Sequence, residues 1–145
     1  MRWTATPGRS KLAGMDLDTL LASMPFSVGL GVRLTAATPD EVRGALDWAP
    51  ERCTAGGLLH GGALMALADG LGAVCAFLNL PGGAATSTIE SKTNFFRGVR
   101  EGTVTATSRP VHVGRTTIAV QTEARDDRDR LVALTLQTQA VLPRS

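Results

Sequence analysis

The sequence predicts an α+β fold, a curved antiparallel sheet of about six strands wrapped around one long central helix. Three observations carry this reading. From Ala63 to Leu78 only Asp69 is ionisable, and apolar residues occupy every face of a helical wheel. A helix that is hydrophobic all round is buried on all sides. Two strand-like segments precede this run and four follow it; the first two and the last two alternate in character along the chain. Finally, 145 residues with a 43% hydrophobic share make one domain with a proper core. A sheet of that size hides such a helix only by curling around it.

Taken in order, residues 1–14 contain Pro7, Gly8 and Gly14 among polar residues and read as a flexible N-terminal tail. Residues 15–145 read as a single domain. The tail is basic but has no apolar run, so it is not a secretory signal, and a cytoplasmic location is the default expectation. Asp16 is an N-cap candidate before Leu17, Leu20, Leu21 and Met24, a short amphipathic helix stopped by Pro25. Val28, Leu30, Val32 and Leu34 alternate through Ser27 to Ala37, which predicts a first strand. Thr38-Pro39-Asp40 is a turn signal, and Glu41 to Ala49 alternates again to complete a hairpin. Pro50 to Leu59 is a loop, with Gly56-Gly57 just before His60. After the central helix Pro81-Gly82-Gly83 breaks the chain. Strands follow over Thr86 to Phe96, Gly102 to Val113, Arg115 to Asp126 and Arg130 to Leu142. The last places Val132, Leu134, Leu136, Thr138 and Ala140 on one face and Thr135, Gln137 and Gln139 on the other.

Composition excludes several functions. The net charge is only +2, the arginines are scattered, aromatics make up 4% and Tyr is absent, so nucleic acid is not a partner. The apolar run falls short of the ~18 residues of a membrane span. Cys53 and Cys75 have neither metal nor redox spacing and read as free thiols in a reducing compartment. His60 and His112 are the only histidines, too few for a zinc site, so no metal is expected.

Asp69 is the residue that asks for an explanation. An unpaired ionised group costs several kcal/mol, roughly, to bury, so it is paired, hydrogen-bonded, protonated or set in a cavity. One reading is a structural aspartate; the other is a catalytic carboxylate lining a pocket, since perturbed acids cluster at functional sites. Gly61 and Gly62 favour the second. They open the helix, where free N–H groups and the dipole can hold an oxyanion or polarise a carbonyl. Asp69 lies about 10 Å beyond Gly62 along the same axis. One helix therefore cannot easily aim both ends at one carbon, whereas two antiparallel copies can. A dimer follows from packing as well, because the far side of the helix needs a cover.

The motifs resemble a known family. Leu59-His60-Gly61-Gly62 followed by Leu67-Ala68-Asp69 is similar to the signature of hotdog-fold acyl-CoA thioesterases of the phenylacetic-acid-pathway and 4-hydroxybenzoyl-CoA type. So are Thr93-Asn94-Phe95-Phe96-Arg97, Val99-Arg100-Glu101-Gly102 and Val113-Gly114-Arg115-Thr116-Thr117, and the resemblance covers residues 26–142. It implies hydrolysis of an aryl or medium-chain acyl-CoA, without cofactor, in a homodimer or a dimer-of-dimers tetramer. It implies Asp69 as general base or nucleophile, with the Gly61 amide polarising the thioester carbonyl beside Gly62. His60 matches a residue that shapes the turn or bonds near the carbonyl; both readings stand. Arg97, Arg115 and Thr116 match positions that hold CoA, for which the guanidinium fork suits phosphate, and a solvated surface role is the alternative for the arginines. Two positions depart from the pattern. Thr54, six residues before the histidine and a substrate-binding candidate, stands where relatives have an Asn or Gln that positions water or carbonyl, and Ala73 stands where some relatives carry a hydroxyl. A hotdog-fold dehydratase and a non-catalytic acyl-CoA binder are the competing functions. Leu64, Met65, Leu71 and the first helix are the expected acyl pocket, and sheet faces rich in Thr and Gln the expected tetramer contact.

Overall fold

The computed structural model describes residues 16–143; the expected flexible tail lies outside them. The elements run α1 (Leu17–Ala22), α2 (Pro25–Leu30), β1 (Arg33–Ala37), β2 (Val42–Asp47), α3 (Gly61–Leu78), β3 (Ala85–Phe95), β4 (Thr103–Val113), β5 (Thr117–Arg125) and β6 (Leu131–Leu142), with a 3-10 turn at Pro50–Arg52. One six-stranded sheet has the order β1-β2-β4-β5-β6-β3, every pair antiparallel. It curves around α3, against which every strand packs. The predicted order of strands and central helix holds.

Asp16 caps α1 as expected, accepting from the Thr19 N–H at 2.7 Å. The next segment departs from expectation. Val28 and Leu30 lie in α2, and the strand begins only at Arg33. Pro25 ends α1 but is the first residue of α2, where its fixed φ suits a helix and its missing N–H is not needed. Gly31, at φ +91°, then closes α2 in the left-handed conformation, its N–H reaching the Ser27 and Val28 carbonyls.

The last strand also corrects the sequence reading. Thr135, Gln137 and Gln139 are buried against α3, whereas Leu136 is 48% exposed on the outer face. The cause is a bulge. Ala124 pairs with Ala133 and Arg125 with Leu131, leaving Val132 as the extra residue. Val132 and Ala133 are therefore both buried, and the alternation changes phase there. The Thr135, Gln137 and Gln139 face of β6 therefore lines the inside of the sheet.

α3 is 18 residues long and apolar enough by length and composition alone to cross a membrane, yet over half of it is buried inside the sheet. Leu67, Leu71, Val74, Cys75 and Leu78 form its inner face. The stripe through Gly62, Met65, Ala66, Asp69, Ala73 and Phe77 is exposed or half-buried. Burial on all sides is thus not met within one chain.

Candidate active site

His60 is the N-cap of α3. Its Nδ1 accepts the Gly62 N–H at 2.8 Å, which leaves the ring proton on Nε2. The backbone is tied on both sides: His60 N–H donates to the Arg52 carbonyl and Leu59 N–H to Val99, both at 2.8 Å. His60 thus makes the contacts that a turn-shaping residue would make. It also separates the two glycines. The Gly62 amide is engaged by the histidine, while the Gly61 amide has no partner among the described residues and is the free donor at the positive end of an 18-residue helix.

Gly61 opens onto a cavity of about 370 Å³ lined by Thr54, Leu58, Leu64, Phe95, Phe96 and Arg97 among others. A side chain at 61 would touch the Phe95 ring at 3.2 Å. The structure thus brings Gly61, Thr54 and Arg97 together. Thr54 uses its hydroxyl within its own loop, accepting from Gly56 N–H at 3.3 Å.

Asp69 sits two turns along α3, half-buried on the open stripe. Its Oδ1 accepts from Thr88 Oγ1 at 2.8 Å and from Gln137 Nε2 at 3.2 Å. Oδ2 has no partner among the described residues. Thr88 in turn accepts from Gln139 Nε2 at 2.7 Å. Thr88, Gln137 and Gln139 were missed in the sequence, where they are polar residues in strands.

Arg115 and Thr116 are exposed in the β4–β5 turn, where the Thr116 carbonyl accepts from Val141 N–H at 2.8 Å. That is the end of the sheet where Ala85 pairs with Leu142, whereas Arg97 follows Phe95, which pairs with Ala133 at the opposite end. Strand residues 86–95 between these ends span about 30 Å at the rise of a β-strand. One protomer does not bring Arg97 and Arg115 onto the same small molecule.

An apolar cavity of about 360 Å³ begins one turn beyond Asp69, between α1, α3 and β3, lined by Leu20, Met24, Ala73, Val74 and Phe77 with Ser23 and Thr86. It shares α1 with the expected pocket but not the other residues. Leu71 is buried in the core, Met65 is 37% exposed on the open stripe, and Leu64 faces the cavity at Gly61. Cys53 and Cys75 are free thiols, and burial pushes the Cys75 thiol up to about 12. Among the described residues no three His, Cys, Asp or Glu side chains group as a metal site.

Comparison with known proteins adds the following. The thioesterase superfamily model matches residues 56–133. A Pseudomonas aeruginosa protein is 32% identical over 144 residues, which cover 97% of this chain and 94% of that one. The crystal structure of a mutant of that protein, described as a thioesterase, superimposes with a TM-score of 0.84 at 31% identity, covering 89% of this chain and 95% of the other. A thioesterase from Haemophilus influenzae gives 0.84 at 27% identity, covering 89% and 92%. The 1,4-dihydroxy-2-naphthoyl-CoA hydrolase of Escherichia coli is 36% identical over 86 residues, 59% of this chain and 63% of that one.

Proposed function

The chain belongs to the thioesterase superfamily, and we propose that it is a cytoplasmic, cofactor-independent hydrolase of an acyl-CoA thioester with its site shared between two protomers. The observation that carries this is the division of labour along α3. The Gly61 amide is a free donor beside a cavity, and Asp69 is a half-buried carboxylate with one free oxygen. They are about 12 Å apart on one rigid helix.

An antiparallel second copy closes that gap. Setting Gly61 of one chain beside the partner's Asp69 puts the two-fold axis near Met65. Gly61 lies against Phe95 and Asp69 against Thr88, so the same axis passes β3 near Ser91 and Lys92. The surfaces that this pairing covers are the ones left open in one chain. β3 is an edge strand with Ile89 61% and Phe95 50% exposed, and Phe96 just beyond it is 54% exposed. The axis also carries Arg97 toward the end of the partner's sheet that bears Arg115 and Thr116, which supports one CoA held by both chains.

In this site the thioester carbonyl oxygen accepts from Gly61 N–H, which stabilises the charge developing on it. As base, Asp69 Oδ2 takes a proton from water while the water oxygen bonds to the carbonyl carbon. The C–S bond then breaks and CoA leaves as the thiol with that proton. As nucleophile, Oδ2 bonds to the carbonyl carbon, the C–S bond breaks and CoA leaves as a thiolate that takes a proton from water. A second water then cleaves the anhydride to the free acid and the Asp69 carboxylate. The apolar cavity beyond Asp69 supports an aryl or medium-length acyl group.

The test is release of free CoA from a panel of acyl-CoAs, followed with a thiol reagent. The wild type releases CoA from at least one of them. Asp69→Asn should lower turnover by about 10²- to 10⁴-fold while CoA binding and melting temperature persist. Near-normal turnover in that variant rules the assignment out.

A further inference from the structure

Both hydrogen bonds to the Asp69 carboxylate fall on the same oxygen. Thr88 and Gln137 each donate to Oδ1. The direction of the Thr88 bond is fixed from behind: Gln139 Nε2 donates into Thr88 Oγ1 at 2.7 Å, so the single hydroxyl proton goes to Asp69. Gln139 Oε1 lies 3.1 Å from the Thr86 hydroxyl, which is also 2.8 Å from the Ala140 carbonyl. Both glutamines are fully buried, two positions apart on the face of β6 turned toward α3.

Gln137 is the informative one. Its Oε1 is buried without a partner, an arrangement that costs free energy and that a Met of similar length avoids. The amide reaches Asp69 only because position 72 is glycine. A Cβ there would lie 2.2 Å from Gln137 Oε1 and 2.5 Å from its Cδ. Helix and strand are therefore matched: Gly72, three residues after the acid, gives passage to a side chain from the sheet.

We propose that Gln137, seated on Gly72, is a positioning residue that with Thr88 holds Asp69 Oδ1 so that Oδ2 alone faces the substrate. This rests on the thioesterase reading of Asp69. A carboxylate free to rotate about χ2 offers either oxygen in changing directions, whereas one held at Oδ1 presents Oδ2 in a fixed direction. The arrangement serves base and nucleophile equally. It acts on the chemical step and not on the binding of CoA, because Gln137 is screened from the substrate by α3.

Steady-state kinetics and melting temperatures of Asp69→Asn, Gln137→Met, Gly72→Ala, Gln137→Asn and the double variant Gln137→Asn/Asp69→Glu test this. Gln137→Met should lower kcat by about 10- to 100-fold, the cost of a misplaced group, with KM within about twofold and no loss of melting temperature. Gln137→Asn withdraws the amide by one methylene and Asp69→Glu extends the acid by one, so the double variant should regain about tenfold in kcat over Gln137→Asn alone. A merely structural glutamine gives no such rescue. Unchanged kcat in Gln137→Met, or no rescue in the double variant, overturns the proposal. If Gln137→Met does not fold, Gly72→Ala reads the same contact from the helix side, and a wild-type kcat there overturns it equally. Activity in Asp69→Asn defeats the reading of Asp69 and this inference together. Loss in Asp69→Asn with full activity in Gln137→Met defeats the inference alone.

Discussion

Asp47, at the end of β2, fixes the approach to the site although it touches none of its cavities. Its carboxylate accepts from Arg33 Nη1 and Nη2 at 2.5 and 2.9 Å and from Thr103 Oγ1 at 2.6 Å. Its backbone carbonyl accepts from Arg52 Nη1 at 2.9 Å, and Arg52 Nε holds the Leu30 carbonyl at the end of α2. The Arg52 carbonyl takes the His60 N–H. The hydrogen bond from Arg33, then that from Thr103, hold the Asp47 carboxyl down at about 2. A lowered carboxyl stabilises the fold above its unfolded value of 3.8, and that contribution is lost as pH falls toward 2. Wild type should therefore exceed Asp47→Asn in urea stability at pH 5, and the gap should narrow between pH 4 and 2. A gap independent of pH over that window refutes the assignment. None of this was legible in the sequence, because Arg33, Asp47 and Thr103 meet only through the register of three strands. His60, Gly61, Gly62 and Asp69 were legible because ten consecutive residues, a cap and the first half of one helix, carry their spacing.

At the scale of elements, α3 lies close on the sheet where both sides give way. A Cβ at Gly44 of β2 would stand 2.7 Å from the Arg33 carbonyl oxygen and 2.7 Å from Leu71 Cδ2. The leucine can shift, but the β1 backbone cannot without disturbing its pairing with β2. Gly44→Ala should thus destabilise by about 1–3 kcal/mol, as overpacking does, read as a lower midpoint in chemical unfolding with an unchanged slope. A midpoint equal to that of the wild type would show that the helix is seated elsewhere. The elements misread from sequence fail for local reasons of the same kind. Pro25 carries two opposite signals, stopping one helix and starting the next, and alternation over Val28 to Leu34 imitates a strand across α2. In β6 one bulged residue, Val132, inverts every side chain after it. An alternating pattern reports that two faces differ, but not which of them meets the core. The glutamines behind Asp69 were hidden by that inversion.

At the scale of the molecule, the separation between the Gly61 amide and Asp69 becomes a question of which chain supplies which half, and complementation answers it. One half is removed by Asp69→Asn. The other is removed by Gly61→Pro, which deletes the amide hydrogen and little else. Proline is accepted at the first position of a helix. His60, the residue before it, already has φ −64° and ψ 134°, the extended conformation that proline requires of its predecessor. The Phe95 ring, 3.2 Å from the added carbon, lines the cavity at Gly61 and can shift into it. Gly61→Pro alone should lose about 10²- to 10³-fold in kcat, the worth of one oxyanion donor, and Asp69→Asn alone the roughly 10²- to 10⁴-fold of a lost base. Co-refolded in equal amounts, half of the dimers pair one chain of each kind. In such a dimer one site combines Gly61 from the Asp69→Asn chain with Asp69 from the Gly61→Pro chain, while the other site lacks both. The mixture should then recover about a quarter of wild-type activity, because a two-fold interface makes two equivalent sites from the same pair of chains. If each chain carried a whole site, every site in the mixture would lack one half and activity would stay at the level of the parents. Recovery therefore measures the sharing itself, independently of the acyl group and of whether Asp69 acts as base or nucleophile.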